Sequence, residues 1–259
     1  METGMNKIIE GTGDAIKVVP ELYDDGLKAT VQESGKTLSL LPKTINAALV
    51  PLRKWIAERE YSLAETEKLL EIKLKNVEQE KIVTPEAYVA VPALQAISYS
   101  MDSEELRNMY ANLLAKAMNV DVKDKVHPAF VELIKQMTPR EAVILDGIFN
   151  SPLTPLIDLS VRIEKGNNYH IYNISWVTCF SYDEVAVALD NLERMGLIEI
   201  PFGESYTDDK AYDPIRKNSI YKEQRKKLES MNIGTIEETK KHIKKTALAN
   251  SFYEVCLKE

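Results

Sequence analysis

Between Leu38 and Phe149 the apolar positions fall three or four residues apart, the spacing of helices that bury one face. Leu38, Leu41, Ile45, Leu49, Leu52 and Ile56 mark a first amphipathic stripe. Pro42 suits the first turn of that helix, and Pro51 should kink or interrupt it. Leu63, Leu70, Leu74 and Val77 mark the next, behind a capping-box pair, Ser62 and Glu65, with Glu and Lys filling the solvent face. Thr84-Pro85-Glu86 reads as a third start, with threonine as cap and proline in the first position. Asp102 and Glu105 box the helix carrying Leu106, Met109, Tyr110, Leu113, Leu114 and Ala117, and His127-Pro128 opens a short one with Phe130, Val131, Ile134 and Met137. Thr138-Pro139-Arg140-Glu141 combines a capping box with a first-turn proline, a strong start and a natural hinge between two halves.

Beyond Asn150 the pattern changes. Pro152, Pro155, Gly166 and paired asparagines break it up, and Tyr169–Ile174 has strand-like content, so an inserted hairpin or an irregular loop is expected. Ser181 and Glu184 then cap a helix with Val185, Val187, Ala188, Leu189, Leu192 and Met195. Gly196 stands where the helix should stop, and Leu197–Ile200 reads as a strand. Helix, glycine and strand in that order, after a Thr-Pro-capped helix, resemble the recognition helix and first wing strand of winged-helix proteins. Ten lysines and arginines against four glutamates make 216–245 a basic stretch, with Lys226 and Lys227 in it, before a closing element at Phe252, Tyr253 and Val255.

The expected fold is mainly α: an N-terminal helical bundle followed by a winged-helix-like α/β module. Three parts are expected: a glycine-containing and cationic amphipathic segment 1–57, a bundle 58–137, and the module 138–259 with its basic insert. Five of the ten glycines lie in residues 1–35, where they weaken helices. The window Ser34–Ala57 has no acid and four bases, Lys36, Lys43, Arg53 and Lys54, with Trp55 near its end. It is either one more bundle helix with a cationic outer face or a surface for a partner or an anionic membrane.

Composition narrows the function. A chain of 259 residues with 44% hydrophobic and 28% charged residues can build a sizeable core. A net charge of −7 argues against broad nucleic-acid binding, which needs a cationic surface. The helix Tyr182–Met195 has Asp183, Glu184, Asp190 and Glu193 against Arg194, so sequence-specific DNA is not an expected partner. Cys179 and Cys256 share no ligand spacing with His127, His170 or His242, so neither a disulfide framework nor a metal site is expected. The first 30 residues carry acids and no apolar core of a signal peptide, and Leu38–Leu52 is shorter than the roughly 20 apolar residues of a membrane span. A cytoplasmic protein is expected, with peripheral membrane contact through the cationic helix as the alternative.

No phosphate loop, dinucleotide fingerprint, nucleophile elbow or zinc-protease helix occurs, and Gly11-Thr-Gly13 lacks a third glycine and a preceding strand. No catalytic residue, cofactor or small-molecule ligand is expected, and the balance is against an enzyme. Asn112 and Asn119, on one helix face, and His127, before its proline, are the polar residues that an unfamiliar active site would use; helix packing and capping are the plainer roles.

The run Pro85–Pro92, LRNMYANLLAKAMN at Leu106–Asn119, HPAFVELIKQMTPREAVIL at His127–Leu145, Val185–Ile200 and Phe252–Cys256 together resemble the abortive infection alpha family over residues 40–257. The resemblance implies a role in bacterial defence against phage. It supplies neither catalytic residues nor a target, and fits a protein acting by binding: to itself, a defence-system partner or a phage component.

Overall fold

The computed structural model describes residues 41–53, 60–100, 102–162 and 168–258. The glycine-rich stretch, Lys54 and Trp55 lie outside the described residues. Contacts divide the chain into two compact units, residues up to Lys135 together with Lys258–Glu259, and Gln136–Leu257.

The first unit contains α1 (Leu41–Arg53), α2 (Glu60–Leu74), α3 (Ala87–Ile97), α4 (Glu104–Ala117) and α5 (Ala129–Lys135). In α1, Ile45, Ala48 and Leu49 are fully buried, and the helix packs on α2 and α3. It also runs on for two residues past Pro51, so that proline does not interrupt it. A proline there removes one backbone hydrogen bond and crowds the carbonyl four residues back, a cost set against the burial of Ile45, Ala48 and Leu49. α4 is the centre of the unit: Met109, Tyr110, Ala111, Leu113 and Leu114 are buried, and it packs against α2, α3 and α5.

Three starts differ from the sequence expectation. α2 is already helical at Glu60, so Ser62 lies inside it, and Glu65 binds Lys68 Nζ at 2.8 Å. Ser103, not Asp102, caps α4 by accepting from the Leu106 N–H. α3 begins at Ala87, and the buried Thr84 hydroxyl makes no hydrogen bond among the described residues. Thr84 is drawn away from capping because the preceding residues are extended. The Val83 N–H donates to the Met118 carbonyl at 2.8 Å, and Ile82 bridges Asn119.

The second unit opens with α6 (Pro139–Asn150), where the Thr138–Glu141 capping box is complete. β1 (Pro155–Arg162) and β2 (Tyr169–Ser175) follow as an antiparallel hairpin, and α7 (Tyr182–Arg194) starts on the Ser181–Glu184 box. Gly196, at φ +71°, ends that helix. The strand after it is shorter than the sequence expectation of Leu197–Ile200: β3 spans Ile198–Glu199 alone. Next come α8 (Asp213–Lys217), α9 (Ser219–Met231), β4 (Thr235–His242), β5 (Lys244–Lys245) and α10 (Ala247–Phe252), with a π turn at Tyr253–Leu257. The three-stranded sheet has the order β2-β1-β4, and β3 pairs with β5. Ile157, Leu159 and Val161 of β1 point to one face, where they meet Tyr212, Ile215, Tyr221 and Leu228. The described chain is thus mainly helical with a small antiparallel sheet.

Candidate functional site

Asn112, Ala115, Lys116 and Asn119 follow one another at helical intervals along one side of α4 and the turn beyond it. They line a cleft of about 260 Å³, whose other wall is the end of α2 and the turn after it, Ile72–Val77. The small Ala115 side chain leaves room at its centre. Asn112 is 5% exposed. Asn119 has its Oδ1 engaged by the Asp121 N–H at 3.0 Å, which fixes that side chain at the rim. Both asparagines singled out in the sequence therefore share one site.

The cleft also contains groups that the sequence reading did not connect. Lys73, Lys75 and Lys116 line it with Asn76, and so does Lys258, which groups with this unit; among the described lining residues there is no carboxylate. The acids next along the chain are turned elsewhere: Glu78 and Asp121 both pair with Lys81, at 3.5 and 3.1 Å. The hydrogen bond and charge of Asp121 raise the Lys81 pKa. Helical spacing makes Asn112, Lys116 and Asn119 neighbours; the part played by the α2 terminus depends on tertiary packing. A second cleft, of about 220 Å³, mixes charges, with Glu86 and Asp124 beside Lys123.

The other candidates are dispersed. Lys43 is exposed on α1, and Arg53 is the last residue of that helix. The His127 Nδ1 accepts from the Ala129 N–H at 3.1 Å and its ring lies 5.9 Å from that of Phe130, the geometry of a capping histidine at the start of α5.

Lys226 and Lys227 are exposed on α9 in the second unit. The basic stretch around them is largely neutralised. Arg216 binds Asp209 and Glu238, Lys217 binds Asp213, Arg225 binds Glu229, and Lys240, Lys241 and Lys244 bind Asp209, Asp158 and Glu204. Tyr221 donates a short hydrogen bond to Glu238. Burial pushes the Glu238 carboxyl up, but the hydrogen bonds from Tyr221 and Arg216 outweigh it and leave the pKa lowered. Asp209, held by Arg216 and Lys240, is lowered to about 2. Six of the ten bases in 216–245 are therefore held in ion pairs, while Lys222, Lys226 and Lys227 remain exposed on α9.

Cys179 is exposed and Cys256 buried, and burial raises the Cys256 thiol pKa. Among the described residues no cluster of three metal-ligating side chains occurs, and no helix is long and apolar enough to cross a membrane.

A solved structure of an uncharacterized protein from the hydrocarbon-degrading marine bacterium Alcanivorax borkumensis SK2 is similar at 16% identity, over 49% of this chain and 94% of that one. Its TM-score of 0.35 is too low to carry an argument. No curated protein matches the chain. The family model for abortive infection alpha matches residues 58–256, which takes in α2 through the π turn, and the chain belongs to that family.

Proposed function

We propose that this chain is a bacterial abortive-infection protein that acts against phage by binding, as a sensor or effector. Membership of the family carries the reading. The dispersal of the candidate polar residues supports binding over catalysis: His127 is spent on a helix start, away from the cleft that contains Asn112 and Asn119.

Within the winged-helix-like reading of residues 138–259, α7 would be the recognition helix, and its chemistry favours protein over DNA. Arg194 is bound to Asn191 and Gln136, while Asp183, Asp190 and Glu193 stay exposed. Such a surface would meet phosphate repulsion in a major groove. Val187 on the same helix and Phe202 beyond it are exposed apolar groups suited to a protein partner, either a second copy, a defence-system component or a phage protein. The burial of Ile45, Ala48 and Leu49 leaves that part of the amphipathic stripe unavailable to a bilayer.

The test is phage challenge of a bacterial host expressing the chain, with plating efficiency measured at equal protein abundance. Protection retained by His127→Ala is the expected outcome. Complete loss from that substitution, with unchanged thermal stability, would favour an enzyme instead. Failure to protect against a broad phage panel would remove the defence assignment.

A further inference from the structure

We infer that the α2–α4 cleft is a binding site for a small phosphate-bearing molecule. This deepens the binding reading above by naming a ligand class, and its test is independent of any phage phenotype.

Lys73, Lys75, Lys116 and Lys258 line a space of about 260 Å³, and among the described residues that line it none is a carboxylate. In a chain of net charge −7 this is a local reversal of sign. Among the described residues Lys75 and Lys116 form no ion pair, unlike most of the bases in 216–245, so their charge is available to a ligand. Glu78 and Asp121, two acids that follow the lining residues in sequence, both pair with Lys81.

The walls supply the rest of a recognition site. Asn112 and Asn119 line one side and Asn76 the other; the Asn119 Oδ1 is taken by the Asp121 N–H, which leaves its amide N–H groups as donors. Ala115 opens the floor between them. The volume lies just below the range of about 300–1,000 Å³ for drug-sized ligands, which selects a small molecule over a polymer. The acidic balance of the whole chain works in the same direction. A long polyanion would meet repulsion outside the cleft, whereas a small one placed inside it is screened from distant charges beyond about 8–10 Å at ordinary ionic strength. Lysine ammonium groups act as point charges toward phosphate, with the amides fixing its orientation.

The probes are inorganic phosphate, adenosine monophosphate and adenosine, titrated into the full chain by calorimetry at low and moderate salt. Saturable binding of phosphate or the monophosphate, absent for adenosine and weakened by salt, is expected. Lys75→Gln and Lys116→Gln should each weaken binding about fivefold or more, the scale of one charge lost a few ångströms from an anion in a wet site. Lys116→Arg should restore most of it. Both positions reach solvent, so thermal stability should stay near that of the parent. Equal binding of adenosine and its monophosphate would overturn the inference. So would no binding of either phosphate probe, or binding indifferent to both glutamine substitutions. A parent chain that protects against phage but binds neither phosphate probe would reject the site alone; one that binds phosphate but does not protect would reject the defence reading alone.

Discussion

Lys241 Nζ lies 2.9 Å from Asp158 Oδ2, joining β4 to β1 across a face of the sheet where the two side chains are only 16% and 12% exposed. Asn173 binds both groups. Its N–H donates to Asp158 Oδ1 at 2.8 Å, and its Oδ1 accepts from Lys241 Nζ at 2.7 Å. Asn173 reaches this position with φ +58°, at the irregularity in the β1–β2 register beside Asp158. Asparagine tolerates that conformation better than most residues.

Removing one partner of this pair should cost more than removing both. Lys241→Met leaves a nearly buried carboxylate without its cation and is expected to lose about 3 kcal/mol, the scale found for broken buried pairs. Asp158→Leu combined with Lys241→Met should lose less than Lys241→Met alone. Urea midpoints of the three proteins measure this. A double variant less stable than the single one would show that the pair contributes net stability.

Glu141 does two jobs while 4% exposed: Oε2 accepts from the Thr138 N–H at 2.5 Å, and Oε1 accepts from Asn191 Nδ2 of α7 at 2.8 Å. Thr138→Ala should cost about 1 kcal/mol as a lost cap. Asn191→Ala should cost about 1–3 kcal/mol, because it strips a donor from a buried charge. Since both act through Glu141, their effects should not add, and a double-mutant cycle by denaturant unfolding detects the coupling. Simple additivity would show that the two contacts are independent.

The same elements explain what could be read from the chain. The boxes at Thr138 and Ser181 were legible because both members lie in a four-residue window and neither competes with another local bond. Asp102 and Thr84 failed for local reasons: Ser103 offered a closer cap, and the strand-like pairing at Ile82 and Val83 claimed the backbone before Thr84. β1 was foreseen only as part of an inserted hairpin, with an irregular loop as the alternative, and β4 was not foreseen. The apolar run of β1 follows two prolines, and β4, TIEETKKH, contains a single aliphatic residue, Ile236. As an edge strand it is held by hydrogen bonds to β1 and by ion pairs of its charged side chains, which sequence periodicity reads as solvated helix or loop. Half of the cleft was visible as Asn112 and Asn119; the lysines opposite come from a helix that sequence spacing cannot place beside α4.

Two glycines should respond in opposite ways to alanine. Gly147 is inside α6 with nothing within 4 Å of where a Cβ would stand, so Gly147→Ala should stabilise by about 0.5–1 kcal/mol through lower unfolded-state entropy. Gly234 precedes β4, and a methyl there would run into the Arg162 carbonyl oxygen at the end of β1. Gly234→Ala should therefore cost about 1–3 kcal/mol, since backbone must move to admit it. Melting temperatures of the two variants should bracket the parent; a neutral Gly234→Ala would mean the β1–β4 end is loosely held.

Asp209 predicts how stability changes in acid. The hydrogen bonds from Arg216, then Lys240, hold its carboxyl at about 2 against an ordinary 3.8. The folded state thus binds this proton less tightly than the unfolded one. Its contribution is fully present above pH 3.8, falls as pH drops toward about 2, and vanishes below both values. Asp209→Asn should lower the unfolding midpoint at neutral pH, and the gap to the parent should close across that window. Because the group is open to solvent, added salt should narrow the gap at neutral pH as well. Melting curves of parent and variant from neutral pH down to the acid limb provide the measurement. A gap independent of pH would assign the effect of Asp209 to geometry at the start of its 3-10 turn, and one that widens in acid would contradict the depressed pKa.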